Sequence, residues 1–289
     1  MKGLYEGMMG LLVADALGVP FEFKKRDSFT VTDLVGGGTH GQPVGSWSDD
    51  GALALATLYS LGQRGGVDLC HMMNAFCDWY YKGAFCSHGQ VFDVGITTRN
   101  AIAAFKKEGD PRKCGAYGEW DNGNGSLMRI LPLAFLDVTD GQVAEVSALT
   151  HGHKRSVTGC LHYLTVARAL LKGADKRQAL ALLEGQCEGA YARLSHIDCL
   201  SREQIKSSGY VVDTLEGALW CFMTTDCYRD CVIRAVELGE DTDTVAAVAG
   251  GLAGIYYGVG KERGIPEKWI VQIPKKEWIK ELCSELEAL

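Results

Sequence analysis

Two short acidic runs, far apart in the chain, hold the residues best suited to chemistry. Ser48-Asp49-Asp50-Gly51 stands before the apolar stretch 52–61, and Glu240-Asp241-Thr242-Asp243-Thr244 stands before 245–257. Both apolar stretches have helical spacing, so both acidic runs fall at helix starts. One Ser, Thr or Asp at each start is explained by capping, and a carboxylate there complements the helix dipole. Capping does not explain the excess. Brought together, Asp49, Asp50, Asp241 and Asp243 would repel one another. A hard divalent cation would remove that repulsion and use their oxygens as ligands. Two such runs at one site could hold a pair of cations, as in two-metal hydrolases. A third acidic feature is Asp15-Ala16-Leu17-Gly18-Val19-Pro20-Phe21-Glu22. Gly18 and Pro20 end the first helix, which leaves Glu22 in a loop, facing either a site or solvent. Asp15 reads as a structural hydrogen-bonder at the helix end.

Two irregular segments also lead into helices: Gly36-Gly37-Gly38 through Ser48, and Tyr117 through Gly125. Glycine and short polar residues before a helix are a common setting for ligands. His151 and His153 form His-x-His without a third soft ligand, so zinc is disfavoured. The eleven cysteines include no Cys-x-x-Cys pair and read as reduced core thiols in a cytoplasmic protein.

The elements that must position these residues are helical. Helical spacing covers about 3–18, 50–63, 68–82, 93–107, 125–136, 140–150, 154–172, 176–190, 213–225, 228–238, 243–258 and 275–288. A short extended piece is expected near Phe29–Leu34. No linker or charge block divides the chain, so one all-α domain over 1–289 is expected, a compact helical bundle with long functional loops. Six prolines among 289 residues agree with this. The net charge of −7 argues against nucleic acid as a partner. The longest apolar run, 245–257, is too short to span a bilayer, and Met1–Glu6 lacks leader architecture, so no membrane association is expected. Trp79, Trp220, Trp269 and Trp278 read as core. The stretch 275–287 reads as an amphipathic helix with a solvated, charged face.

With these residues in view, the sequence resembles the ADP-ribosylglycohydrolase family, whose best-known type is the dinitrogenase-reductase-activating glycohydrolase. The similarity runs from Gly10 to about Gly258. It is carried by several motifs in order: Asp15-Ala16-Leu17-Gly18 with Glu22, Ser48-Asp49-Asp50, Asp93-Val94-Gly95-Ile96-Thr97-Thr98, Gly123-Asn124-Gly125-Ser126-Leu127-Met128-Arg129, Thr150-His151, Ser208-Gly209-Tyr210-Val211 and Leu238-Gly239-Glu240-Asp241-Thr242-Asp243-Thr244. Each motif is weak alone.

The resemblance implies an all-α hydrolase that frees ADP-ribose from a modified side chain, most simply arginine. Its substrate would be an ADP-ribosylated protein or small molecule. Its cofactors would be two Mg²⁺ or Mn²⁺ ions, held by Ser48, Asp49, Asp50, Asp241, Asp243 and Thr244. Glu22, Asp49 and Asp243 would be catalytic, Glu22 as general base on water. Asn122, Gly123, Asn124, Gly125 and Ser126 would present backbone amides to the pyrophosphate, reinforced by the helix that follows. His151 and Tyr210 would touch the ligand, and Asp93 would grip a guanidinium. Cleavage of an O-linked ADP-ribose, a non-catalytic crystallin-like binder and a metal-dependent phosphoesterase or pyrophosphatase are the competing readings. Two departures from the family pattern stand out. Ser48-Asp49-Asp50-Gly51 stands where the family usually has Thr-Asp-Asp-Thr, so that Ser48 keeps a ligating hydroxyl while Gly51 loses one and is expected to loosen that helix start, and Ala14 replaces a glycine.

Overall fold

The computed structural model describes residues 3–289. Met1 and Lys2, part of the stretch examined for a leader, lie outside the described residues. The helices are α1 (Leu4–Gly18), α2 (Asp49–Arg64), α3 (Leu69–Lys82), α4 (Ile96–Glu108), α5 (Asp140–Ala148), α6 (Lys154–Leu171), α7 (Lys176–Ala181), α8 (Val211–Met223), α9 (Tyr228–Val236), α10 (Thr242–Tyr257), α11 (Glu267–Ile270) and α12 (Lys276–Glu287). Short 3-10 turns link several of them.

At the centre, α1 and α10 are apolar all round, the pattern of helices with no solvent face. Leu4–Phe21 is long and apolar enough to cross a membrane by length and composition alone, yet 83% of it is buried inside the protein. Glycine sets the distance between the two helices. A Cβ on Gly10 would stand 2.4 Å from the Gly250 carbonyl oxygen and 2.9 Å from Gly254 Cα. Gly250 in turn faces the Ala14 methyl, 2.4 Å from where its own Cβ would be. Ala14 is therefore accommodated because its partner has no side chain.

The crossing aligns the helix ends. A Cβ on Gly18, the last residue of α1, would fall 2.4 Å from Asp243 Cα, and Thr242 Oγ1 donates to the Gly18 carbonyl at 2.9 Å. One turn earlier, the Asp15 carboxylate accepts from the Ser48 amide at 2.9 Å and from the Gly51 amide at 2.8 Å. The end of α1 thus fixes the starts of both α2 and α10. Asp15 serves the neighbouring helix, where two amides would otherwise lack partners.

The helical reading needs correction in places. The segment 125–136 is two 3-10 turns, Leu127–Arg129 and Leu131–Phe135, with Pro132 removing an amide donor at the start of the second. α4 begins at Ile96 because Asp93 is left-handed, with φ of 48°. α7 stops at Ala181, short of the expected 190, and left-handed Gly185 and Gly189 follow it. α11 and the turns within 189–204 were not expected. Phe29–Leu34 forms no strand; among the described residues β-pairing is limited to isolated bridges, including Gly123 with Tyr210. Trp79, Trp220 and Trp269 are buried, while Trp278 is half-buried. α12 is more than a charged surface, since Ile279, Leu282, Cys283 and Leu286 are buried in the core. All eleven cysteines are free.

Gly10→Val forces two backbones apart and is expected to cost about 3 kcal/mol or more in a urea titration. Gly62→Ala, whose methyl would sit 3.6 Å from its nearest neighbours, is expected to stabilise by at most about 1 kcal/mol. Equal effects at the two positions would contradict this account of the α1–α10 crossing.

Candidate active site

Ser48 is extended, with φ of −86° and ψ of −156°, and its Oγ accepts from the Asp50 amide at 3.3 Å, so it caps α2. Gly51 does not loosen this start. A side chain there would meet Leu12 Cδ2 at 2.7 Å and the Trp47 ring at 2.8 Å, while Asp15 holds its amide. At α10, Glu240 adopts φ of 61°, and its amide and carbonyl pair with Lys24 and Phe23 across 2.8 and 2.7 Å. That pairing seats the Glu22 loop over the start of α10.

The two acidic runs meet. Thr244 Oγ1 donates to Asp50 Oδ2 at 3.2 Å, and Ser48 Oγ donates to the same oxygen at 3.1 Å. Carboxylate oxygens of Glu22, Asp241 and Asp243 lie within 4.8 Å of one another, as do ligand atoms of Glu22, His40 and Asp93. Asp241 Oδ2 accepts from Asn124 Nδ2 at 2.8 Å, and Thr214 Oγ1 holds that amide at 2.9 Å. Asp50 Oδ1 and Asp243 Oδ2 are buried without a partner among the described residues.

Burial is the largest influence on these acids. Asp50 and Asp243 are fully buried, and Glu22 and Asp49 are 4% and 5% exposed. Desolvation raises the carboxyls of Asp49, Asp50, Asp93, Asp241 and Asp243 above the usual carboxylate range. Neighbouring acids push most of them further in the same direction. Glu22 is pushed up to about 9, by burial first and then by Asp93. Asp15 is pushed up to about 7 by burial, against the lowering effect of its bonds to Ser48 and Gly51. Among the described residues, those lining the cleft include no lysine or arginine. A set of oxygen donors, two of them orphaned in the interior, fits hard divalent cations. Among the described residues, Glu22 with Asp241 and Asp243, and Glu22 with His40 and Asp93, bring ligand atoms close enough together to hold such an ion, and Ser48, Asp50 and Thr244 join their oxygens beside them.

Above this floor lies a cleft of about 270 Å³, whose walls include Glu22, Asp49, Asp93, Asp241 and Thr244. Gly123, Asn124, Gly125 and His151 also line it. Asn122, Ser126 and Tyr210 do not, and Ser48, Asp50 and Asp243 are buried out of its lining. Asn122 Nδ2 bonds the Glu119 carbonyl, and Ser126 Oγ lies 2.9 Å from Ser147 Oγ beneath the loop. Tyr210 is half-buried beside the Gly123 bridge. The amide of Asn124 is taken by the Gly209 carbonyl at 3.0 Å. The helix expected behind this loop is a three-residue 3-10 turn, so it supplies little dipole.

His40 is the site residue that the sequence reading missed. Its Nε2 bonds Glu22 Oε2, and its ring lies 5.2 Å from Phe92. It belongs to the glycine-rich segment before Ser48, where nothing in the residue pattern pairs it with Glu22. Phe23 and Ile96, both strongly exposed, flank the opening.

The chain resembles known proteins over nearly its full length. A family model described as ADP-ribosylglycohydrolase matches residues 4–289. An ADP-ribosylarginine hydrolase Tri1 of Pseudomonas putida is 35% identical, across 96% of this chain and 76% of that protein. The ADP-ribosyl-[dinitrogen reductase] glycohydrolase of Rhodospirillum rubrum is 30% identical, across 93% and 89%. A solved structure titled ADP-ribosylglycohydrolase-related protein complex superposes with a TM-score of 0.84 at 31% identity, covering 99% of this chain and 97% of that one.

The raised carboxyls make metal-free stability depend on pH. Each folded-state pKa lies above its unfolded value, so the linked stability is complete below about pH 4. It is lost as pH rises through the folded values, about 7 for Asp15 and about 9 for Glu22. In EDTA the melting temperature is expected to fall steadily from pH 5 to pH 9, and Asp243→Asn is expected to flatten the fall. A melting temperature that rises over this range would contradict the electrostatic account.

Proposed function

The chain belongs to the ADP-ribosylglycohydrolase family, and on that premise we propose that it hydrolyses the N-glycosidic bond between ADP-ribose and an arginine side chain, with two divalent cations, magnesium or manganese, as cofactors. Its substrate is then a mono-ADP-ribosylated protein, and its products are free ADP-ribose and restored arginine. One observation carries this reading. Two acidic helix starts converge at the floor of one cleft, with Asp50 Oδ1 and Asp243 Oδ2 buried and unpartnered.

When bound, the cations would supply the positive charge that lets the clustered carboxylates ionise and that polarises sugar oxygens. Glu22 stands at the cleft wall with its carboxylate held by His40. In that position it accepts the proton of the attacking water. Asp49 and Asp243 add negative charge beside the sugar carbon, which becomes oxocarbenium-like as the bond breaks. Asn124 fixes Asp241 from the other side.

The choice of arginine rests on the relatives named as arginine hydrolases and on Asp93. Asp93 is only partly buried and lines the cleft, with the His40 ring beside it and no lysine or arginine paired with it among the described residues. A carboxylate so placed can accept two parallel hydrogen bonds from a guanidinium.

Incubation with Arg-linked and Ser-linked ADP-ribosyl peptides tests the proposal. Cleavage of the Arg-linked peptide is expected, stopped by EDTA and restored by Mg²⁺ or Mn²⁺. Release of AMP in place of ADP-ribose would contradict it, as would faster cleavage of the Ser-linked peptide. Asp241→Asn is expected to lower activity at least about 100-fold with an unchanged helical circular dichroism spectrum. Asp93→Asn is expected to reduce kcat/KM for the Arg-linked peptide by about 10- to 100-fold, the effect of losing a charged hydrogen bond.

A further inference from the structure

One buried charge has no part in the reaction described so far. Arg129 is fully buried, and no carboxylate pairs with it among the described residues. Its Nη2 donates to the Val146 carbonyl at 3.0 Å and to Thr150 Oγ1 at 2.9 Å. Its Nε and Nη1 have no partner, and the guanidinium lies 4.7 Å from the centroid of the Phe76 ring. Removing a cation from water without a counter-ion is costly, so its retention calls for a reason beyond stability.

The groups hydrogen-bonded to it in series supply one. Thr150 is fully buried, and its Oγ1 lies 2.9 Å from His151 Nδ1. A guanidinium only donates, so Arg129 occupies a lone pair of Thr150 Oγ1. The Thr150 hydroxyl proton then has His151 Nδ1 as its acceptor. That pairing would leave Nδ1 unprotonated and put the ring proton on Nε2. The opposite arrangement, Nδ1–H donating to Thr150, leaves a buried hydroxyl proton with no acceptor. Nε2 lies on the cleft side, 3.5 and 3.3 Å from where Cβ atoms on Gly123 and Gly125 would stand. The backbone on either side is fixed. The Ala116 amide donates to the Thr150 carbonyl at 3.0 Å, and the Gly152 amide to the Ala116 carbonyl at 2.8 Å. Ser147 Oγ donates to the His151 carbonyl at 2.9 Å. Burial first, and then the Arg129 charge, push the His151 imidazole down to about 3, so the ring is neutral at ordinary pH.

We propose that Arg129 and Thr150 are positioning residues, which hold His151 as its Nε2–H tautomer so that it offers one hydrogen-bond donor to an oxygen of the bound ADP-ribosyl group. The tautomer follows from the Arg129–Thr150–His151 chain alone. The identity of the acceptor rests on the glycohydrolase reading.

Nitrogen NMR of the ¹⁵N-histidine-labelled full chain at pH 7 tests the first part, and titration with ADP-ribose tests the second. The wild-type His151 is expected to show a protonated Nε2 and a bare Nδ1. Thr150→Val, which keeps the shape and removes the hydroxyl, is expected to shift the ring toward Nδ1–H. The same variant is expected to weaken ADP-ribose about tenfold and raise KM to match, with kcat within about twofold. Thr150→Ser should restore both the spectrum and the affinity. Arg129→Met should reproduce the tautomer shift. A protonated Nδ1 in the wild type overturns the proposal, as does a Thr150→Val protein with unchanged tautomer and affinity. Should Thr150→Val fail to fold, the wild-type spectrum decides alone. If the tautomer is as expected but wild-type protein does not bind ADP-ribose, the positioning chain stands and the assigned acceptor falls.

Discussion

Where α1 crosses α10, the two backbones touch with no side chains between them. Gly10, Gly250 and Gly254 allow that approach, and Gly18 carries it to the first turn of α10 at Asp243. Everything at the site depends on this contact. Asp15, one turn before Gly18, reaches across to the start of α2, so one helix end fixes two others. The metal-ligand candidates on α2 and α10 are therefore set relative to each other by packing, independently of any attraction between them. Packing is needed because their mutual electrostatics oppose the arrangement.

Those electrostatics also explain the composition of the site. Desolvated carboxylates this close together favour protonation or a cation. A lysine or arginine in the cluster would have neutralised it permanently and left no place for a ligand. The chain instead puts its buried guanidinium, Arg129, behind His151, where it acts through a neutral ring. On the proposed function, the negative side of the site would thus be left for divalent ions and for the guanidinium of the substrate, and the neutral imidazole would face the oxygens of the ADP-ribosyl group. The same division accounts for Asp93, which stands at the cleft and can meet a guanidinium.

Much of this was readable from residue types. The acidic runs at 48–51 and 240–244 exceed what capping requires, and that excess pointed to their convergence. The long apolar segments 3–18 and 243–258 gave their helices nearly to the residue, because an apolar run of that length, bounded by Pro20 in the first case and by acidic caps in the second, suits a fully enclosed helix. The misreadings have local causes. The 125–136 segment has helical spacing, but Pro132 interrupts its hydrogen-bond ladder. Asp93 takes a left-handed conformation that its residue type does not announce. His40 meets Glu22 only because a glycine-rich loop folds back, a tertiary event without periodicity. The role of Gly51 depends on Leu12 and Trp47, neighbours that no spacing rule could supply.

The central claim is that buried acids from α2 and α10 form one cation-binding floor. Anomalous diffraction from a crystal of this chain soaked in Mn²⁺ tests it most directly. The account predicts a pair of adjacent manganese peaks between the starts of α2 and α10, in contact with Asp50 Oδ1 and Asp243 Oδ2. Manganese confined to surface carboxylates, with those two oxygens bare in saturating Mn²⁺, would contradict it.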